Sequence, residues 1–399
     1  MAVLFDRNFG PYFFGKSLSA TAVWVQNIAA AMLVFHLTKS ALMVGLVSIV
    51  QFSGVLLLSL WAGALTDRLD RRRILVTGRA ISATAVGALA VALYVRGVDG
   101  FGLSVVLGTV LVSGIGLAIS SPAMHALTPS LVPADDLEQA VALNAIVGNI
   151  ARAIGAGIGA TLVVSAGYGF AFASAAVSHL IYVASLLMIT PRPVQMPKDR
   201  PKLLGGLQYA VRDKAIGFAL LATASLSFAI DPVVTLTPSI THQLGRGEQL
   251  VGVLASAFGT GAVLTSLFVR RIRSRLSLRS LCLLGIGIAA AGLVAIAFAT
   301  YVWLVIAAFA ITGSGFILAT TALATRVQQR VPEGLRGRVM ALYTLAFLGS
   351  RPVAAAVNGS MADSVSITAA LLLGATFCMA SSLFVWREYP GDASSTVSD

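Results

Sequence analysis

Four ionisable side chains lie inside long apolar stretches of this sequence: Arg152, His179, Asp231 and Arg351. A charged group at bilayer depth costs at least about 2.5–3.5 kcal/mol on insertion scales, so such residues usually face the bundle interior and mark a pathway. We predict that Asp231 is a proton-responsive group, with Arg152 or Arg351 as its partner or as an anion-binding point. A purely structural salt bridge is the alternative, and His179 is expected to be a structural histidine.

Two of these residues are next to prolines that interrupt a helix. Pro232 cannot donate a backbone hydrogen bond to the carbonyl of Phe228, and Pro352 cannot donate one to the carbonyl of Leu348. Interrupted helices are a feature of transport sites in membrane transporters. Asp231 and Arg351 are therefore expected to lie where backbone groups are exposed to a ligand or an ion.

The elements that must position these residues are long apolar helices. The chain has 399 residues, of which 57% are hydrophobic and 11% charged, with a mean hydropathy of +0.88. Soluble chains average about 25% charged residues, and a membrane-spanning helix needs about 20 apolar residues. Continuous runs of this length exclude a β-barrel, and the first run exceeds the apolar core of a signal peptide. The twelve runs cover residues 13–35, 41–65, 74–95, 101–122, 138–164, 169–190, 214–236, 249–269, 278–299, 301–324, 338–361 and 365–386.

The basic residues are distributed very unequally between the two sides that this topology defines. The side holding both termini has 23 Lys and Arg residues, Lys16 and Arg79 among them, against three on the other: Lys39, Arg96 and Arg246. The positive-inside rule predicts a multi-pass protein of the inner (cytoplasmic) membrane with both termini in the cytoplasm. This distribution explains the net charge of +12, so no nucleic-acid partner is expected.

The two halves of the chain repeat each other. A polar segment rich in Pro, Lys and Arg divides a first bundle (1–190) from a second (214–399), with a cytoplasmic linker at 191–213. Gly45 and Gly54 recur 207 residues later, and Pro133 and Arg152 recur 199 residues later as Pro332 and Arg351. Repeated six-helix halves are an architecture of secondary transporters.

The stretch GALTDRLDRRRIL, residues 63–75, joins spans 2 and 3 and resembles the loop signature of the major facilitator superfamily. A topological anchor accounts for its arginines but not for Gly63 or for an acid in a basic loop. Asp70 departs from the signature, which favours Gly there, although Asp also suits a tight turn. The matching residues are Gly63, Leu65, Asp67, Arg68, Arg71, Arg72 and Leu75.

Residues 120–144 and 330–352 further resemble the enterobactin-exporter and macrolide-efflux branch of that superfamily. The resemblance implies an all-α fold of twelve transmembrane helices in two pseudo-symmetric six-helix bundles. It also implies a gating motif of Gly63, Asp67, Arg68, Arg71 and Arg72, in which Asp67 latches the cytoplasmic side near Gly337 and Arg338. Because spans 1, 4, 7 and 10 line the cavity in this family, Gln26 and Asn27 join the pathway candidates.

The favoured function is proton-coupled export of a small amphiphilic compound, a drug or a siderophore-like metabolite, by alternating access. Ala156 replaces the proline that exporters often carry in span 5, which weakens the export assignment. An organic-anion carrier using Arg152 and Arg351 is the alternative, and a non-transporting membrane sensor or lipid-handling protein is a third hypothesis. The expected partners are substrate, protons and membrane lipid, with the chain acting as a monomer. No phosphate loop, metal-ligand cluster or catalytic arrangement is visible in the sequence, so neither an enzyme nor a cofactor is predicted.

Overall fold

The computed structural model describes residues 2–66, 69–100, 102–133, 136–192 and 205–387. These residues form helices joined by short turns, with short 3-10 helices at Ala2–Phe5 and Thr128–Ser130. The α-helices are α1 (Phe9–Thr38), α2 (Ala41–Thr66), α3 (Arg71–Arg96), α4 (Leu103–Leu127), α5 (Leu137–Met188), α6 (Gly205–Arg212), α7 (Lys214–Thr235), α8 (Thr237–Gln243), α9 (Gln249–Arg273), α10 (Leu278–Phe298), α11 (Val302–Arg330), α12 (Glu333–Gly349), α13 (Arg351–Ser364) and α14 (Ile367–Arg387).

All twelve predicted apolar runs lie on these helices. Runs 5 and 6 are the two parts of α5, which breaks at Gly167, where φ is 85° and ψ is 168°. Only glycine adopts this backbone conformation without strain. Run 11 is divided into α12 and α13 at Ser350. Within the described chain, ten helices are individually long and apolar enough to cross a membrane, with α5 counted once.

Side-chain caps explain where several helices begin. The Asp70 carboxylate accepts hydrogen bonds from the backbone N–H groups of Arg72 (2.8 Å) and Arg73 (3.3 Å) at the start of α3. Asp213 caps α7 in the same way, and Ser277 caps α10. Because the first N–H groups of a helix have no intrahelical acceptor, such caps fix its first residue. The cap on α3 gives Asp70 a function that its departure from the loop signature left unexplained.

The first of two compact units comprises Met1–Pro197 and Pro238–Ser256. Here α1 packs along α5, and both α2 and α3 pack against α4. Glycines make these approaches close: a Cβ atom on Gly159 of α5 would lie 2.8 Å from the Cα of Val25, and one on Gly155 would lie 2.7 Å from the Cβ of Trp24. Small residues at helix contacts are typical of membrane bundles. Gly155 and Gly159 therefore serve the packing of α5 against α1.

The second unit comprises Lys198–Thr237 and Ala257–Asp399. In it α10 packs against α11 and α14, while α7 packs against α12, α13 and α14. This arrangement brings the Pro232 end of α7 beside the junction of α12 and α13. The bundle boundaries inferred from the sequence, 1–190 and 214–399, stay a prediction.

Candidate functional site

A buried carboxylate occupies the last turn of α7 in the second unit. Asp231 is only 3% exposed. Its Oδ2 accepts a hydrogen bond from the Thr235 hydroxyl, four residues further along α7, at 2.9 Å, and another from the Asn358 amide of α13 at 3.4 Å. A buried carboxylate is tolerated when it is hydrogen-bonded or paired. Asp231 is therefore held by donors from two helices.

Pro232 removes one backbone hydrogen bond from α7, which itself continues to Thr235, and this break in the hydrogen bonding is filled from the neighbouring helix. Asn358 also points its Nδ2 at the carbonyl of Phe228, at 3.5 Å, which is the acceptor that proline leaves without a helical donor. Asn358 itself is completely buried, and its Oδ1 has no hydrogen-bond partner among the described residues. The Asn358 amide thus donates both to the Phe228 carbonyl and to the Asp231 carboxylate. Its own Oδ1 is still able to accept a hydrogen bond.

Arg351 begins α13 and is buried beside Asp231. Its side chain is 7% exposed and interacts electrostatically with Asp231, and its guanidinium lies 5.5 Å from the ring centroid of Phe347. The Ser227 hydroxyl of α7 donates a 2.7 Å hydrogen bond to the carbonyl of Phe347 at the end of α12. The predicted combination of Asp231 and Arg351 at two proline breaks is thus present within one unit.

The remaining pathway candidates lie in the first unit. The Gln26 amide is buried, donates to the Ser113 hydroxyl at 2.9 Å and faces the Nε2 of His179 at 3.4 Å. The other ring nitrogen of His179 lies 2.8 Å from the Ser19 hydroxyl. Asn27 follows Gln26 on α1 and is half-buried. Arg152 lies on α5, and its side chain is not among the described atoms. Gln26 and His179 thus form one internal polar network.

Two buried cations were not recognised from the sequence. Lys16 and Arg79 are 7% and 4% exposed. Because each residue is near the start of its apolar run, the sequence indicated that both are loop charges on the cytoplasmic side. They were therefore not included among the charges within the membrane. Their positions could have indicated burial: Lys16 lies three residues inside the run 13–35, and Arg79 lies five residues inside the run 74–95.

The described part of the predicted gating motif is tied to the ends of neighbouring helices. Gly63 lies in the last turn of α2, whereas Asp67 and Arg68 lie outside the described residues. Arg71 donates to the carbonyl of Ala126 in α4 at 2.9 Å. Arg72 donates at 2.6 Å to each of the carbonyls of Leu186 and Leu187 in α5. Cations at helix C-termini are favourable because the last carbonyls lack donors.

The helix that carries the predicted latch partners begins earlier than the sequence indicated. Run 11 was predicted from residue 338, but α12 begins at Glu333. Gly337 and Arg338 therefore follow the first turn of α12 instead of forming its start. The free N–H groups that would attract a carboxylate belong to the residues of that first turn.

Comparisons with known proteins agree on the class. Residues 2–392 match the family described as transmembrane secretion effector. The chain is 24% identical over 361 residues to the enterobactin exporter EntS of Escherichia coli, covering 88% of this chain and 85% of that one. It is 23% identical over 269 residues to the staphyloferrin A transporter of Staphylococcus aureus, covering 65% of this chain and 66% of that one.

Solved structures confirm the fold. A mutant of the nucleoside transporter NupG is similar with a TM-score of 0.77 at 12% identity, over 96% of this chain and 100% of that one. A bacterial homologue of the iron transporter ferroportin gives a TM-score of 0.74 at 15% identity, over 96% and 98%. The predicted all-α major facilitator fold is therefore correct. The chain is a multi-pass membrane transporter, not an enzyme, and it belongs to the transmembrane secretion effector family of the major facilitator superfamily.

Proposed function

We propose that this transporter exports a small amphiphilic compound in exchange for protons, by alternating access. The observation that carries the proposal is Asp231: a buried carboxylate at a helix break, held by Thr235 and Asn358 and accompanied by Arg351. Ionisable residues at such positions belong to proton and substrate pathways in membrane bundles. The chain acts as a monomer in the cytoplasmic membrane, with both termini in the cytoplasm.

Protonation of Asp231 changes both its charge and its hydrogen-bonding character. The carboxylate only accepts hydrogen bonds, whereas the carboxylic acid also donates one. The Oδ1 of Asn358 is a buried acceptor for that donor once the amide rotates. Rotation would direct the amide differently towards Phe228 and the break in α7. Proton binding would thereby favour one conformation of the site over another, which is the requirement for coupling.

The substrate class is inferred from the surroundings of this carboxylate. Aromatic rings lie nearby: Phe228 stacks on Phe377 with centroids 4.2 Å apart, and Phe347 lies 6.0 Å from Phe316. Apolar and aromatic surfaces with few fixed charges suit an amphiphilic compound better than a sugar, which requires many hydrogen bonds. The relatives that act on enterobactin and staphyloferrin A support a siderophore-like metabolite, and a drug is the alternative within this class.

An organic-anion carrier is the second candidate function. The buried guanidinium of Arg351 favours it, because arginine binds carboxylates with good geometry. In this version Arg351 binds the substrate and no longer balances Asp231. Loss of the Asp231 carboxylate should abolish transport by the proton-coupled exporter but not transport by the anion carrier.

The test is transport by inverted membrane vesicles with an imposed pH gradient, using ethidium as the amphiphilic probe and labelled benzoate as the anionic one. Proton-coupled export predicts ethidium uptake that depends on the gradient, is lost in Asp231→Asn and is retained in Asp99→Asn, which changes an exposed loop acid. Full, pH-dependent uptake by Asp231→Asn excludes the proton role. Benzoate counterflow that survives Asp231→Asn but fails in Arg351→Gln supports the anion carrier.

A further inference from the structure

Two cations are buried together inside the first unit. The side chains of Arg79 on α3 and Lys16 on α1 are 4% and 7% exposed and lie close enough to interact electrostatically. Like charges repel, and desolvation adds to the cost of both. His179, a third basic group, also lies within the electrostatic range of Arg79. Something must balance this concentration of positive charge.

Among the described residues, no acidic side chain forms an ion pair with Arg79 or Lys16. Asp6 accepts from the backbone N–H groups of Asn8 and Phe9, and Asp70 caps α3. Glu248 accepts from the Tyr168 hydroxyl at 2.8 Å. Within the described residues no ion pair includes Arg79, and its Nε and Nη1 have no hydrogen-bond partner. A buried guanidinium normally has its N–H groups satisfied.

Neutral and aromatic groups surround the two cations. The guanidinium of Arg79 lies 5.9 Å from the ring centroid of Tyr182, and the ammonium of Lys16 lies 5.7 Å from that of Tyr12. The two tyrosine rings are 6.1 Å apart. Lys16 also donates to the Asn144 amide oxygen at 2.7 Å. Ring faces attract cations, but they leave the N–H groups of Nε and Nη1 of Arg79 without an acceptor.

We propose that Arg79 and Lys16 form a binding site for the carboxylate of an organic anion that this protein carries. Arg79 supplies the unpartnered N–H donors, Lys16 supplies a second positive charge, and the rings of Tyr12 and Tyr182 pack beside the two cations. This inference rests on the proposed export function and adds that the exported compounds include amphiphiles that carry a carboxylate, besides cationic probes such as ethidium. It assigns recognition to residues other than Asp231 and Arg351.

The experiment measures thermal unfolding of the purified full-length protein in detergent, with benzoate and benzamide as probes of the same shape that differ in charge. Saturating benzoate should raise the wild-type melting temperature by about 2–4 °C, because a ligand stabilises the state that binds it. Benzamide should leave the melting temperature unchanged. The benzoate shift should be lost in Arg79→Gln, reduced in Lys16→Gln and retained in Arg246→Gln, which changes an exposed arginine.

A second measurement separates a ligand site from an internal ion pair. If Arg79 has no acidic partner in the chain, Arg79→Met should melt without ligand at the wild-type temperature or above it. A large fall would mean that an acid of the chain neutralises Arg79, which overturns the proposal. Equal shifts with benzoate and benzamide, no shift with either, or a benzoate shift retained in Arg79→Gln would also overturn it. Because binding is measured without transport, these results do not depend on the Asp231 experiment.

Discussion

Asn358 on α13 donates a hydrogen bond to the carboxylate of Asp231 on α7 across 127 positions of sequence, at 3.4 Å. The same amide reaches the Phe228 carbonyl that Pro232 leaves without a helical donor. The acid and the helix break are therefore parts of one hydrogen-bonded unit. Under the proposed function, a change in the protonation of Asp231 would act directly on the group that completes the backbone of α7.

Removal of the Asn358 amide should damage both stability and coupling. Asn358→Leu leaves the Phe228 carbonyl and one acceptor site of Asp231 unsatisfied, at about 1–3 kcal/mol for each buried group. We expect a lower melting temperature and ethidium uptake that no longer follows the pH gradient. Thr376→Val is the matched control, because its hydroxyl is exposed and bonds only within α14. Wild-type pH dependence in Asn358→Leu would exclude the proposed role of the amide.

Loss of the cap on α3 should destabilise the first unit. Asp70→Ala removes the acceptor for the N–H groups of Arg72 and Arg73, a change that costs about 0.5–2 kcal/mol. Asp70→Asn should keep most of this stability, because asparagine caps helices equally well. The measurement is thermal unfolding in detergent, with Asp99→Ala as the control for loss of an exposed acid. An Asp70→Ala melting temperature equal to that of the control would contradict the capping role.

The contact between α1 and α5 should not tolerate a side chain at Gly159. A Cβ there would lie 2.8 Å from both the Cα and the carbonyl oxygen of Val25, and backbone atoms cannot move aside cheaply. We expect Gly159→Ala to lower stability by about 1–3 kcal/mol through overpacking. Gly148→Ala, on the same helix, meets nothing within 4 Å and should be neutral or stabilising. Similar melting temperatures for the two variants would show that the helices separate readily.

The gating role implied for Asp67 predicts a defect in transport alone. Asp67→Asn should impair ethidium uptake while leaving membrane insertion and expression intact, because the gating function requires the charge and the anchor function does not. Arg73→Gln is a suitable control, since its side chain is 88% exposed. Normal uptake by Asp67→Asn would leave the loop with its topological role alone.

Much of the fold could be predicted because the signals are local. Apolar runs longer than a bilayer crossing identified every long helix. The proline positions identified the breaks beside Asp231 and Arg351. The prediction failed at the ends of these runs, where Lys16 and Arg79 were counted as loop charges. Position near a helix end does not reveal burial, because burial depends on which neighbouring helices cover that turn.

The membrane class, the helices, the family and the identity of the acid beside Pro232 therefore follow from the amino-acid sequence alone. Each of these depends on consecutive residues, whose hydrophobicity and backbone chemistry act over a few turns. Three contacts instead depend on how the helices pack: Asn358 donates to the Phe228 carbonyl, Arg72 donates to the carbonyls of Leu186 and Leu187, and two cations share one buried cluster. These partners are more than 60 positions apart, and close packing of helices, not local preference, selects which side chains meet.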